Sequence, residues 1–122
     1  SRCAFPGNVD DVGDRLARSH LLLLPSDSEA SPLVLLEAMA AGCPALAHDV
    51  GGVSELTHGG KCCHLLPSLD PVAWTSGARD LLLDEPRRIS LVSSGRAEAT
   101  VRRIERTAGL LEDELDRVAS CR

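Results

Sequence analysis

The chain has very few aromatic residues. Its 122 residues include one phenylalanine, one tryptophan and no tyrosine. Surfaces that bind single-stranded nucleic acid stack the bases on several rings, so we expect no such surface here and no ring-built platform for carbohydrate. The formal net charge of −5 and the lack of a basic cluster in the sequence also argue against nucleic acid as a partner.

Long apolar runs are missing as well. The run of leucines at 21–24 is too short to span a membrane, and Pro25 ends it. A short run of this kind is typical of a parallel strand that helices cover on both faces. Further strands are predicted at 44–48 and 61–66. Because helical patterns alternate with these runs, the sequence predicts an α/β fold with a mainly parallel sheet of about three to four strands.

The cysteines follow no regular spacing. They are five in number, and no secretory signal precedes them, which predicts a reduced, cytoplasmic setting, or a peripheral place at the membrane for a full-length protein. His58, Cys62, Cys63 and His64 are residue types that bind metals. Adjacent residues of a strand point to opposite faces, however, so Cys62 and Cys63 would not share one ion. We therefore expect cysteines that pack in the core and no metal site.

A loop and a helix follow the leucine run, and each carries one glutamate. Ser31 is the predicted N-cap, Pro32 the first helical residue and Gly42 the end of the helix. The helix is apolar on every side except at Glu37, which predicts a buried helix whose lone carboxylate needs a partner. Glu29 lies in the loop at the carboxyl end of the strand, where open α/β sheets bind ligands. The start of a helix favours a phosphate.

The spacing of the two glutamates leaves two interpretations open. They belong to a ligand site, or Glu29 is a solvated loop residue and Glu37 reaches the surface at the helix edge. Gly51 and Gly52 likewise suit either close approach of the backbone to a ligand or an ordinary tight turn. His48, at the end of the second strand, either contacts the ligand or is a hydrogen-bonded structural residue.

The remaining elements are predicted to be helical, except for residues 3–5, which look like the end of a strand. We expect one partial domain at 1–122, with a core of strands and helices at 1–67 and a helical C-terminal part at 68–122. The predicted helices are a short one after residue 11, a single turn at 53–57, one at 70–83 with Asp70 as its N-cap, one from 87 to about 106 and an amphipathic segment that Gly109 separates from it.

One stretch resembles a known family. LPSDSEASPLVLLEAMAAGCPALAHDVGGVSEL, residues 24–56, is similar almost residue for residue to the donor-binding half of the retaining nucleotide-sugar glycosyltransferases of family 4. These enzymes have two Rossmann-like domains, an arrangement called the GT-B fold, and the E-x7-E pair of the family maps onto Glu29 and Glu37. The resemblance implies a truncated Rossmann-like domain, corresponding to the C-terminal half of the GT-B fold, with C-terminal helices.

The resemblance also implies roles for individual residues. Glu37 would hydrogen-bond the ribose hydroxyls of the nucleotide, and Glu29, as the catalytic residue, would contact the transferred sugar. The backbone N–H groups of Leu33 and Val34 would hold the diphosphate. The family is mostly metal-independent, which implies no metal and no cofactor beyond the donor, a UDP- or GDP-linked sugar. The remaining donor-site residues that the resemblance implies are Ser31, Gly51 and Gly52.

The sequence departs from the family pattern in ways that bear on activity. The segment Ala30-Ser31-Pro32 replaces the glycine-aromatic-glycine that often follows the first glutamate, and Pro32 lacks an N–H. Nothing matches the arginine and lysine that clamp the diphosphate in the family, and Lys61 is the only lysine. The acceptor-binding domain and two strands of the donor domain have no counterpart in the sequence. The leucine strand should therefore have an open edge. Residues 2–5 or a second copy of the chain are expected to pair with it.

These observations predict the donor-binding part of a retaining glycosyltransferase, a hexosyltransferase that acts within a longer protein. The 122 residues alone are expected to be inactive, because catalysis needs both halves of the cleft. One alternative is a non-catalytic interaction module that dimerises through the open sheet edge and the amphipathic tail. Another is an epimerase or a phosphorylase built on the same scaffold.

Overall fold

The computed structural model describes residues 2–102 and 104–120. Within this part of the chain, a parallel sheet of three strands lies between helices, in the order β1-β2-β3. The strands are β1 (Leu22–Leu24), β2 (Ala45–His48) and β3 (His64–Leu66). The predicted α/β class and parallel sheet are confirmed.

Six helices surround the described sheet, and their ends follow local signals. Asp70 caps α4 by accepting a hydrogen bond from the N–H of Ala73 at 3.1 Å, as predicted. Gly42 ends α2 in the left-handed conformation, with φ +74°. Gly109 does not interrupt α6, contrary to the prediction. The helices are α1 (Val12–Ala17), α2 (Leu33–Ala41), α3 (Val53–Leu56), α4 (Pro71–Leu83), α5 (Glu85–Val101) and α6 (Ile104–Ser120).

The main core lies on one face of the sheet, under α2, α3 and α5. Leu22 and Leu24 of β1 pack against this core from the edge. Helix α5 lies close on α2, because a Cβ added at Gly95 would be 3.1 Å from the side chain of Met39. The buried residues of this core are Leu35, Met39, Ala45, Ala47, Val53, Leu56, Cys62 and Cys63.

The opposite face of the sheet is covered over β2 and β3 only. A Cβ at Gly77 of α4 would lie 3.6 Å from the side chain of Leu46, which is fully buried. Leu23 pairs with Leu46 in the register of β1 and β2 and so shares its face, yet its side chain is 49% exposed. Among the described strands β1 lies at the edge of the sheet, as expected, whereas the expectation that helices cover β1 on both faces is wrong, because the face of Leu23 is about half exposed.

The N-terminal segment forms no strand. Residues 2–9 have neither helix nor strand, and Phe5 is 94% exposed. The predicted strand end at 3–5 is therefore wrong, and these residues do not pair with β1. Pro6 cannot donate to a ladder, and Gly7 turns the chain at φ +73°.

Candidate functional site

The loop that carries Glu29 leaves the carboxyl end of β1 and lies against the chain that follows β2. The N–H of Gly52 donates to the carbonyl oxygen of Glu29 at 2.9 Å. The hydroxyl of Ser26 donates to Oε1 of Glu29 at 2.7 Å, and Nδ1 of His48 lies 2.8 Å from the carbonyl oxygen of Ser26. Glu29 is half-buried, and its carboxylate is held at the carboxyl ends of the strands, where parallel α/β sheets bind ligands.

Gly51 and Gly52 allow the two loops to touch. A Cβ added at Gly51 would lie 1.8 Å from the carbonyl oxygen of Glu29, and one at Gly52 would lie 1.9 Å from that of Ala30. Neither distance is possible for real atoms, so only glycine fits at either position without moving the Glu29 loop. Gly51 also adopts φ +56°, which favours glycine. The glycine pair therefore allows close approach of the backbone of residues 29–30, and close approach to a ligand stays a prediction.

Helix α2 begins one residue later than predicted. Pro32 is the N-cap, and no side chain caps the helix, so the expectation that Ser31 is the N-cap is wrong. The carbonyl oxygen of Pro32 accepts from the N–H groups of Leu35 and Leu36 at 3.1 and 3.4 Å. The N–H groups of Leu33 and Val34 belong to the first turn and have no acceptor within the helix.

Glu37 is exposed, so the prediction that it is a buried carboxylate is wrong, and the alternative that Glu37 reaches the surface is confirmed. The buried side of α2 consists of Leu35, Ala38 and Met39. A second stripe, Leu33, Glu37 and Ala40, follows the helical spacing i, i+4, i+7 and faces solvent, with Leu33 71% exposed. Glu37 therefore needs no partner for its charge, and it lies one helical turn beyond the amides of Leu33 and Val34.

A cavity of about 150 Å³ opens beside the Glu29 loop. Arg102 lines this cavity, and its guanidinium group forms a salt bridge with the carboxylate of Glu98. Glu98 also accepts from Nε2 of His58 at 2.7 Å, and hydrogen bonds from Arg102 and His58 lower the pKa of Glu98. The cavity is lined by Ala30, Ser31, Gly52, Glu55, Leu56 and Arg102. A larger cavity, of about 380 Å³, lies along α4 and is lined by none of the predicted site residues.

Three of the cysteines behave as core residues, whereas Cys3 is exposed, so the expectation of core cysteines is wrong at that position. Cys43, Cys62 and Cys63 are buried, and burial raises the pKa of all three thiols, that of Cys63 to about 12. The Cys63 thiol donates to the carbonyl oxygen of Ala45 at 3.3 Å. Among residues 2–102 and 104–120, no group of three or more His, Cys, Asp or Glu side chains is arranged to hold a metal ion. Cys121 lies outside the described residues.

The structure brings together most of the predicted site, but not in the way the sequence suggested. Glu29, Gly51 and Gly52 are in direct contact through the backbone. Leu33, Val34 and Glu37 follow at the start of α2, and Ser31 is an exposed residue of the loop between. Sequence reasoning missed Ser26 as a partner of Glu29. The only available signal was the spacing Ser26-x-x-Glu29, which places a hydroxyl and a carboxylate within reach in a turn.

None of the helices in the described part of the chain has the length and hydropathy that crossing a membrane requires.

Comparison with known proteins identifies the relatives of this chain. N-acetyl-alpha-D-glucosaminyl L-malate synthase of Bacillus anthracis is 42% identical over 84 residues, which are 69% of this chain and 22% of the relative. D-inositol 3-phosphate glycosyltransferase of Thermobispora bispora is 32% identical over 90 residues, which are 74% of this chain and 21% of the relative. The chain thus spans about a fifth of the length of these relatives.

A solved structure and a family model agree with these relatives. Sucrose-phosphate synthase from Thermosynechococcus elongatus matches with a TM-score of 0.73 and 25% identity, over 88% of this chain and 27% of that one. The match confirms the predicted GT-B relationship of the fold. The family model described as glycosyl transferases group 1 matches residues 1–84. The chain belongs to the glycosyl transferases group 1 family.

Proposed function

We propose that this chain is the donor-binding part of a retaining glycosyltransferase that moves a sugar from a nucleoside diphosphate to an acceptor. The observation that carries the proposal is the meeting of the Glu29 loop, the glycine pair and the start of α2 at the carboxyl end of β1. The family relationship makes a nucleotide-linked sugar, carried by UDP or GDP, the donor to expect. The proposal includes no metal and no further cofactor.

The start of α2 is the proposed place of the diphosphate. The amides of Leu33 and Val34 lack acceptors within the helix, and the helix dipole adds a partial positive charge at the same end. Ser31 is exposed in the loop just before them and offers a hydroxyl. Amides that hold the diphosphate would also stabilise the charge that develops when the sugar leaves.

The two glutamates take different parts of the donor. Glu37 is exposed one turn after the amides, so its carboxylate is accessible to two ribose hydroxyls. Glu29, which Ser26 holds within the loop, contacts the hydroxyls of the sugar. In this proposal Gly51 and Gly52 shape the site indirectly, because their lack of side chains lets the Glu29 loop approach.

The acceptor is assigned to a second domain outside these 122 residues. Catalysis requires donor and acceptor in one cleft, and the match to this chain covers only 21–22% of the length of its relatives. We therefore expect this chain to bind the donor nucleotide but not to transfer sugar on its own.

Nucleotide binding tests the proposal. UDP and GDP are titrated separately into the chain and followed by amide chemical shifts and calorimetry. We expect one of the two nucleotides to bind at a single site, with shifts centred on residues 31–37, and Glu37→Ala to weaken binding about tenfold, as the loss of a carboxylate that accepts two hydroxyls predicts. Glu112→Ala, which removes an exposed carboxylate on α6, is the matched control and should bind like the parent. A folded chain that binds neither nucleotide contradicts the proposal.

A second candidate function, self-association through the sheet edge, is supported by the open edge of β1 and by the 49% exposure of Leu23. An unpaired apolar strand edge pairs readily with another chain. Sedimentation of the parent chain and of the Leu23→Lys variant measures self-association. A dimer that the lysine variant turns into a monomer would support this function, and a parent chain that is monomeric at high concentration would contradict it.

A further inference from the structure

The loop at 25–31 contains no helix or strand, yet it carries the carboxylate of Glu29. A side chain on such a loop samples many orientations unless other groups fix it, and fixing it during binding costs conformational entropy. The residues that hold Glu29 before a ligand arrives therefore influence how tightly that ligand binds.

One side chain holds this carboxylate directly, and a second side chain and a backbone amide hold the loop that carries it. Ser26 donates its hydroxyl proton to Oε1 of Glu29 at 2.7 Å, a charge-assisted hydrogen bond. His48, at the end of β2, lies with Nδ1 2.8 Å from the carbonyl oxygen of Ser26. The N–H of Gly52 holds the backbone of Glu29 itself at 2.9 Å. The chain of contacts thus runs from β2 through His48 and Ser26 to Glu29.

The chemistry of these contacts determines which ring nitrogen of His48 carries a hydrogen. A carbonyl oxygen only accepts hydrogen bonds, so Nδ1 of His48 must carry the proton. Ser26 uses only Oε1 of Glu29, and within the described residues Oε2 has no hydrogen-bond donor. A carboxylate held through one oxygen keeps the other available for a hydroxyl ligand.

We propose that Ser26 and His48 are positioning residues that orient the carboxylate of Glu29 towards the hydroxyls of the transferred sugar. This inference rests on the proposed function, because Glu29 must contact the sugar for its orientation to matter. Ser26 acts on Glu29 directly, and His48 acts on it through the backbone of Ser26.

The test separates sugar binding from nucleotide binding. Dissociation constants are measured for UDP and UDP-glucose and for GDP and GDP-mannose. The ratio of the constant for the free nucleotide to the constant for its nucleotide sugar isolates the contribution of the sugar. Ser26→Ala and His48→Ala should reduce this ratio about three- to tenfold, the range expected for a lost hydrogen bond of this kind, while the constant for the free nucleotide stays within about twofold. Glu29→Ala should remove the contribution of the sugar.

Conservative variants distinguish positioning from general damage to the fold. Ser26→Thr keeps a hydroxyl, and His48→Asn places an N–H donor close to the position of Nδ1, so both should restore most of the ratio that the alanine variants lose. Thermal unfolding of each variant checks that it is folded. If the asparagine and threonine variants lose as much as the alanine variants, or if the alanine variants leave the ratio unchanged, the positioning role is wrong and the proposed function still stands.

A ligand-free measurement tests the network by itself. Long-range proton–nitrogen NMR spectra of the chain at about pH 8 report which nitrogen of neutral His48 carries the proton. We expect the Nδ1–H form, and its loss in a variant that unfolds the loop, such as Gly52→Ala. The Nε2–H form would overturn the inference whatever the nucleotide titrations give. Nδ1–H together with no nucleotide binding would instead contradict the proposed function and, with it, the role towards sugar.

Discussion

The part of the chain that holds the strands, residues 22–66, is packed very differently from the helical part at 71–120. The fully buried large side chains Leu35, Leu46, Val53, Thr57 and Cys63 belong to the first part, and of the described residues only Leu81 represents the second. Large apolar side chains that are exposed show the reverse distribution. In the helical part they are Val72, Leu82, Leu83, Ile89, Val101, Leu111, Leu115 and Val118.

The difference shows where the stability of the candidate site comes from. Buried apolar area is the main source of folding free energy, so the strands and α2 that carry the site also carry most of the core. The helical part adds a few anchors, such as Leu81, Leu91 and the close contact of Gly95 with Met39. Substitutions should therefore cost much more in the first part than in the second.

Gly51→Ala should cause the largest loss. Its Cβ would overlap the carbonyl oxygen of Glu29 at 1.8 Å, and its φ of +56° is unfavourable for alanine. Overpacking and backbone strain each cost about 1–3 kcal/mol, so we expect the free energy of unfolding to fall by about 4 kcal/mol and the amide shifts of residues 26–31 to move. Urea unfolding and NMR spectra measure both effects.

Gly13→Ala is the matched control for that variant. Gly13 lies in α1, and a Cβ there meets nothing within 4 Å. Alanine in a helix is favoured over glycine by about 0.5–1 kcal/mol, so this variant should be slightly more stable than the parent. A Gly51→Ala chain of unchanged stability would mean that the Glu29 loop does not lie against Gly51.

Leu35→Ala should lower the free energy of unfolding by about 3 kcal/mol, because a fully buried leucine leaves a cavity when it is truncated. The same change at Leu115, which is 59% exposed on α6, should cost less than about 0.5 kcal/mol. Urea unfolding measures both losses in the free energy of unfolding and so compares the packing of the two parts. Equal losses would show that α6 is packed against something in solution.

Asp70→Ala should cost about 1 kcal/mol, the usual value for a lost helix cap, because the carboxylate of Asp70 accepts the N–H of Ala73 in the first turn of α4. Asp70→Ser keeps an acceptor and should recover most of the loss. If serine is no better than alanine, the hydrogen bond at the start of α4 does not contribute to stability.

His64 should give the smallest effect, a change of stability with pH. Burial lowers its pKa from the ordinary 6.5, and the nearby Arg87 lowers it further. As the pH falls through 6.5, the unfolded chain takes up a proton that the folded chain does not, so the free energy of unfolding falls until the folded histidine titrates too. His64→Gln should flatten this slope between about pH 7 and 5 in thermal melts.

The pH window separates His64 from Glu98. Hydrogen bonds from Arg102 and His58 lower the pKa of Glu98 from 4.5, so its contribution is lost only at pH values below that. A slope between pH 7 and 5 that persists in the His64→Gln chain would assign it to another histidine.

The sequence predicted elements well where the signal is local. The cap at Asp70, the stop at Gly42 and the strand at 44–48 depend on residues a few positions apart, and all are present. The prediction that Gly109 breaks a helix was wrong, because one glycine in a helix costs only about 1 kcal/mol. The chain leaves the helical conformation at Arg102 instead.

The errors at the site concern burial and long-range contact. Glu37 was expected to be buried because every neighbour on α2 is apolar, but burial depends on what packs against each side of the helix, and the side of Leu33 and Glu37 is open. The contacts of Gly51 and Gly52 with residues 29–30 join segments about 22 positions apart. A pattern of glycines predicts close approach, but it does not name the partner.

The way the Glu29 loop is fastened has a consequence for mutational tolerance. Its contacts with the glycine pair use the backbone of residues 29 and 30, so they make no demand on the side chains of Asp27, Ser28 or Ala30. A library that randomises these three positions should yield many folded chains, whereas one that randomises Gly51 and Gly52 should return glycine at both. The side chains of this loop are therefore free to vary while its backbone contacts with the glycine pair stay unchanged.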